Sequence, residues 1–210
     1  MPIRLRPDDA LIVVDMQNDF LPGGALAVAG GDEIVAPIEA LAGRFANIVM
    51  TQDWHTADHV SFASQHPGKA PFETIGLSYG TQVLWPDHCV MGTDGAAFAP
   101  GLRLERAQLI IRKGFRREVD SYSGFREADR STVTGLAGYL EERGLRRLFL
   151  CGLATDFCVG WTALDARAAG FEALVVEDLC RAIDTGGSLA KAWADMAAAG
   201  VQRIQSADIG

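Results

Sequence analysis

The sequence predicts an α/β protein: three layers, with helices covering both faces of a central, mostly parallel sheet. Three observations carry that prediction. Short apolar runs alternate with longer stretches of helical period along most of the 210 residues. Those runs are apolar throughout and rich in β-branched residues, as strands buried on both faces are. The chain is also 49% apolar, enough to fill a core of that kind.

Residues 10–15 (ALIVVD) read as the first buried strand. Residues 33–45 place Ile34, Ile38 and Leu41 at three- to four-residue spacing, a helix entered through Asp32. NIVMTQD (47–53) is the second strand, and QLIIRK (108–113), RLFLCG (147–152) and ALVVED (173–178) behave alike. VQRI (201–204) adds a short edge strand. Helical stretches are expected at about 132–143, 156–169 and 187–199, the last rich in alanine. Residues 54–106 break the alternation: a loop-rich insertion that holds all four histidines, His55, His59, His66 and His88. Such insertions in compact domains are usually functional. No repeat or low-complexity tract divides the chain, so residues 1–210 read as one domain.

Charge and composition exclude several functions. Nineteen basic against twenty-seven acidic residues give a net charge of −8, the wrong sign for a nucleic-acid partner. No apolar run approaches the ~18 residues of a membrane span. The opening MPIRLRPDDALIVVDMQ has no signal-peptide pattern, so a cytoplasmic location is expected. Cys89, Cys151, Cys158 and Cys180 form no CxxC pair and read as free thiols.

Parallel sheets bind ligands at the carboxyl ends of their strands, so chemistry is sought there. One strand ends at Asp15, another at Lys113, and a third runs into LCGLATDFCVGW, which opens a helix. With Thr155 or Asp156 as N-cap, Cys158 falls in the first helical turn, where the dipole and free amides favour thiolate. The turn before it can offer backbone N–H groups to an oxyanion. Singly, these read better as a buried cysteine, a loop cap and a strand-end lysine; together they point to a cysteine hydrolase. Asp15 would take and return the thiol proton, with Lys113 holding it ionised. Asp53 and His55, two apart at a strand end, face one way, and His88 completes a carboxylate-and-two-imidazole set with open positions. That set suits zinc, iron(II) or manganese. His59, or Ser61 through a water, is a candidate fourth ligand, and His66 reads as a surface imidazole. Phe20, Trp85, Tyr122 and Phe157 could line a slot for a planar ring.

DMQNDF, TQDWH, WPDHCV, KG followed by DSYSGF, and GLATDFCV together resemble the nicotinamidase (pyrazinamidase) branch of the isochorismatase-like cysteine hydrolases. The motifs span most of the chain in the family's order. The resemblance implies a Rossmann-like sheet of about six strands and hydrolysis of nicotinamide to nicotinate and ammonia through a cysteine thioester, in NAD salvage. Pyrazinamide is an expected second substrate. It assigns Cys158 as nucleophile, Asp15 as general acid/base and Lys113 as their charged partner. It also implies an oxyanion hole from the N–H groups of Ala154 and Cys158, and a cis Leu153–Ala154 peptide. Asp53, His55 and His88 match metal ligands, zinc first with iron or manganese as alternatives, and Phe20, Trp85 and Tyr122 match ring contacts. A small-molecule partner and no membrane or nucleic acid are implied, with a homo-oligomer left open. Other hydrolases of the superfamily lack the DxH and second-histidine set, and a non-catalytic metal module has no need of Asp15, Lys113 and Cys158 together. A redox-sensor role for Cys158 lacks a resolving cysteine nearby in sequence.

Overall fold

Strands β1 (Asp9–Val14) and β2 (Asn47–Asp53) are buried along their whole lengths, as strands covered on both faces must be. The computed structural model that shows this describes residues 2–210. β1 lies between β2 and β6 (Arg147–Leu153), pairing in parallel with both. Outward from β2 comes β5 (Leu109–Lys113); outward from β6 come β7 (Glu172–Arg181) and β8 (Gln202–Ile204). The six-stranded order β5-β2-β1-β6-β7-β8 is parallel throughout.

Helices flank this sheet: α1 (Val35–Ala42), α2 (Leu136–Glu142), α3 (Gly160–Ala168) and α4 (Ser188–Ala198). α1 turns Ile38 and Leu41 inward, the spacing expected of it. Phe45 and Phe149 meet edge-on in the core at 5.1 Å; truncating a buried Phe such as Phe149 to Ala costs about 3–5 kcal/mol. Among the described residues no helix is long and apolar enough to cross a membrane.

The insertion after β2 is more ordered than its sequence suggests. It contains an antiparallel hairpin, β3 (Thr74–Leu77) and β4 (Gly80–Val83). The strands have four residues each, half of them exposed, with glycines at 76 and 80, so each run is too short and too broken by glycine to announce itself.

The chain winds outward in opposite directions from β1, so the topological switch point lies between β1 and β6. Residues just beyond those two strands, Asp15 and the stretch from Ala154 to Cys158, therefore share one crevice, the location expected for a ligand in such a sheet.

Candidate active site

Asp15 leaves β1 in the left-handed conformation, φ +47, strained for a non-glycine residue. Its N–H donates to Thr51 Oγ1 at 3.2 Å, and Thr51 Oγ1 donates to its Oδ1 at 2.6 Å. Thr51 lies two residues before Asp53 on β2 and so shares its face. The Lys113 ammonium, at the end of β5 and 0% exposed, stands 2.8 Å from Asp15 Oδ2 and donates to Asp53 Oδ1. It also reaches the Ser121 carbonyl at 3.2 Å and Cys158 Sγ at 3.4 Å. The three groups expected to act together are thus in contact. Ligand atoms of Asp15, Asp53 and Cys158 converge, and Lys113 already supplies the cation among them.

These contacts set the charges. Burial works against the Lys113 ammonium, but Asp15 and Asp53 outweigh it and hold the pKa well above the usual lysine range. Burial raises the Asp15 carboxyl, and the nearby Lys113 does not fully offset this. Burial also pushes the Cys158 thiol well up; Lys113 opposes, while Asp15 and Asp53 add to the rise.

That corrects one expectation. Cys158 does not sit in a turn capped by Thr155 or Asp156. The turn it occupies, Thr155–Val159, is a π-helical turn whose N-cap is Ala154, with no side-chain cap. The Asp156 carboxylate instead accepts from the N–H groups of Ile183 and Asp184, at 3.1 and 2.8 Å, and from the Ser188 hydroxyl. Several donors across the crevice satisfy it better than one cap bond would. Lys113 touches both this thiol and Asp15, the group expected to serve it as base. The Leu153–Ala154 peptide is cis, and among the described residues the Ala154 N–H has no acceptor.

The Asp53, His55 and His88 ligand atoms lie within 4.8 Å of one another. The Nε2 atoms of His55 and His88 stand 3.7 and 3.9 Å from Asp53 Oδ2. The opposite ring nitrogens are tied to backbone carbonyls, His55 Nδ1 to Gly114 at 2.9 Å and His88 Nδ1 to Pro86 at 2.8 Å. A carbonyl only accepts, so each Nδ1 carries the proton and each Nε2 lone pair faces Asp53. Gly114 has φ +67, and a Cβ there would run into the His55 ring. One carboxylate and two oriented imidazoles fit a divalent ion with open positions. Burial acts to raise the Asp53 carboxyl, but Lys113 and the two imidazoles hold it far below the carboxylate range. His88 is driven down to about 4 by burial and by His55. Burial lowers His55 too, but Asp53 prevails and raises it.

His59 does not join this set. Its Nδ1 bonds Ser61 Oγ at 2.7 Å, and Nε2 meets the carbonyls of Arg116 and Val119 at 3.1 and 3.2 Å. Both nitrogens are engaged, and its ring lies against His55 at 4.3 Å. Ser61 is spent on His59. His66 is half-buried rather than a free surface imidazole, its Nε2 bonding the Val60 carbonyl at 2.7 Å.

A narrow apolar pocket joins the two groups, with Cys158, Ala154, Asp53 and His88 in its lining. Phe20, Trp85 and Tyr122, the expected ring contacts, all line it, with Phe157 4.9 Å edge-on to Trp85. Sequence reasoning missed Gln82 and Asp120. Gln82 Nε2 donates to Asp120 Oδ2 at 2.6 Å and to the Tyr122 hydroxyl at 2.8 Å. Trp85 Nε1 donates to the same hydroxyl at 2.9 Å, so Tyr122 is pinned by two donors. Gln82 lies on the unforeseen hairpin; Asp120 stands in DSYSGF, where its charge and position were the only signal.

The chain is similar to known proteins along nearly its whole length. An isochorismatase-domain model matches residues 9–208. The chain is 61% identical over 200 residues to the nicotinamidase of Acinetobacter baylyi, covering 95% of this chain and 94% of that one. Among solved structures it is similar to PnC1 from L. infantum in complex with nicotinate, with TM-score 0.87, 40% identity, and 100% and 99% of the two chains covered. It is also similar to the pyrazinamidase of Pyrococcus horikoshii in complex with zinc, with TM-score 0.77, 38% identity, and 95% and 99% covered. On the match across nearly its whole length, the chain belongs to the isochorismatase family.

Proposed function

We propose that this protein is a nicotinamidase, hydrolysing nicotinamide to nicotinate and ammonia through a thioester on Cys158, the deamidation of NAD salvage. The observation that carries this reading is one pocket lined by Cys158, Asp53 and His88, where Lys113 touches Asp15, Asp53 and Cys158 and the ligand atom of His55 converges with those of Asp53 and His88. Residues 1–210 act as one hydrolase domain, with 54–106 supplying His55 and His88. The four free cysteines fit a reducing cytoplasm.

Asp15 takes the Cys158 proton as the sulfur attacks the carboxamide carbon, and Lys113 steadies the thiolate as it forms. The N–H groups of Ala154 and Cys158 receive the oxyanion. Asp15 then gives its proton to departing ammonia, leaving the acyl group on sulfur. Asp15 next deprotonates water for attack on the thioester; nicotinate leaves and Cys158 regains its proton. Phe20, Trp85 and Tyr122 confine the ring. A divalent ion on Asp53, His55 and His88, zinc first with iron or manganese as alternatives, would orient and polarise that ring through the pyridine nitrogen. The zinc-bound pyrazinamidase relative supports the choice of metal.

Ammonia release from nicotinamide by metal-loaded protein tests the function; none at saturating substrate would return the site to the other amide hydrolases of the superfamily. Pyrazinamide keeps a ring nitrogen and a carboxamide in the same relation, so pyrazinoate should accumulate as well. Its absence at high enzyme concentration would show that the pocket distinguishes the two rings.

Thr51→Val should lower kcat/KM about tenfold, the worth of one hydrogen bond to a working carboxylate. The Thr51 bond lowers the Asp15 pKa, so its loss raises that pKa and moves the acid limb of the rate profile to higher pH. A rate profile identical to wild type would remove Thr51 from the mechanism.

Metal binding gives a second pH signature. With His88 at about 4 and His55 raised, His55 alone carries a second ring proton, on Nε2, between about pH 5 and 6.5. Binding must expel that one, so log Kd for the metal should rise about one unit per unit fall in pH over this range. Two ordinary histidines would approach a slope of two at the acid end, which chelator competition would resolve.

A further inference from the structure

Between Asp15 and Phe20 lie Gln17, Asn18 and Asp19, none of which lines the pocket. β1 stops at Val14 while β2 runs on to Asp53, so the peptide edge of Asp53 extends past the strand that should pair with it. The fully buried side-chain amide of Gln17 takes that strand's place. Its Oε1 accepts from the Asp53 N–H at 2.7 Å, and its Nε2 donates to the Asp53 carbonyl at 2.8 Å and the Ala96 carbonyl at 2.9 Å. An amide is the one side-chain group that can copy both halves of a ladder pairing.

Asp19 serves the other two ligands. Its Oδ2 accepts the N–H of Cys89 at 2.7 Å, and Cys89, at φ +46, directly follows His88. The Cys89 carbonyl in turn accepts the N–H of His55 at 3.0 Å. One residue, Cys89, thus links both imidazole-bearing segments, and Asp19 fixes it in a conformation that non-glycine residues seldom hold. Gly95 leaves the space this needs, since a Cβ there would run into the Asp19 carboxylate.

We propose that Gln17 and Asp19 are positioning residues for the metal site, Gln17 setting the Asp53 carboxylate and Asp19 setting the His88 and His55 imidazoles. This rests on reading Asp53, His55 and His88 as metal ligands. A carboxylate and two imidazoles bind a cation tightly only if their lone pairs already converge. Neither residue touches substrate or the reacting atoms; each acts through a backbone bond to a ligand-bearing segment. Loss of such outer contacts weakens metal sites by about 10- to 100-fold.

Zinc affinity, measured by chelator competition on wild type and four variants, tests the proposal, with the melting temperature of each metal-free protein recorded alongside. Gln17→Glu keeps an acceptor for the Asp53 N–H but cannot donate to the two carbonyls. Asp19→Ala removes the acceptor for Cys89, and Asp19→Asn restores one. Gln17→Glu and Asp19→Ala should each weaken zinc about 10- to 100-fold, whereas Asp19→Asn should stay within about threefold of wild type. Asn18→Ala is the control: among the described residues its side chain bonds only the Asp94 carbonyl, at 2.8 Å, and its loss should leave zinc affinity unchanged. Wild-type affinity in Asp19→Ala would overturn the proposal, as would an equal loss in Asn18→Ala, which would mean general loosening of the segment. Should Gln17→Glu not fold, the Asp19 pair, at a partly exposed position, still decides. A wild-type protein that takes up no zinc would instead take down the ligand reading itself.

Discussion

Cys158→Ala should release no ammonia from nicotinamide above about one part in 10⁴ of the wild-type rate, the scale of losing a nucleophile outright. The same variant should keep its metal and its fold. Cys158 is buried, and trading a sulfur for a hydrogen in one π-helical turn leaves only a small void. Asp15 and Asp53 both push the thiol pKa up, so removing it also spares the site a group that could ionise unfavourably. The decisive pairing is therefore rate against metal content: activity gone, zinc retained. Activity surviving in the alanine variant would end the thioester mechanism. Joint loss of activity and metal would mean that Cys158 shapes the metal site rather than attacking the amide.

Lys113→Met should have the second largest effect, on rate and stability together. The ammonium is wholly buried and stands between Asp15 and Asp53. Removing it leaves two carboxylates facing each other with no cation, which costs about 3–5 kcal/mol in comparable buried pairs. At least one carboxyl must then take a proton, and a protonated Asp15 cannot accept one from Cys158, so the rate should fall about 10³-fold or more. The sign of the pH dependence follows. In the variant the folded carboxyl pKa lies above the unfolded value near 3.9, so its contribution to stability is present at low pH and lost as pH rises through the folded pKa. Urea denaturation should thus find the deficit relative to wild type smaller at pH 5 than at pH 8. A deficit independent of pH would mean that Lys113 contributes packing alone.

The sheet and the chemistry of this protein were legible in its sequence for one reason. Strands buried in a sheet are apolar along most of their length, so the polar residues that close each run mark its carboxyl end. Asp15 follows its run directly, Asp53 comes after Thr51 and Gln52, and Lys113 comes after Arg112. β7 shows the limit of that rule. It runs to Arg181, not to 178, because a register shift opposite Leu150 and Gly152 puts polar Glu177 and Asp178 inside it before Cys180 and Arg181 pair again. Thr51 was within reach, since it shares a strand face with Asp53. Gln82 was not, because the hairpin that carries it has no apolar stripe. The partner of Asp156 was also beyond sequence reasoning. A cap is a local choice, and the Ile183, Asp184 and Ser188 donors that won it come from 27 to 32 residues away.

The position of β1 bears on how the enzyme comes into being. Its first residue pairs with Arg147, 138 positions along the chain, and the crevice at that seam holds Asp15 from one side and Cys158 from the other. A growing chain can set β1 against β2 early, but one long edge of β1 stays open until β6 has been made. Closing that seam joins contacts of high sequence separation, the slow kind. The groups on either side of that seam therefore meet only when it closes, and the onset of amide hydrolysis during refolding would serve as a clock for its closure.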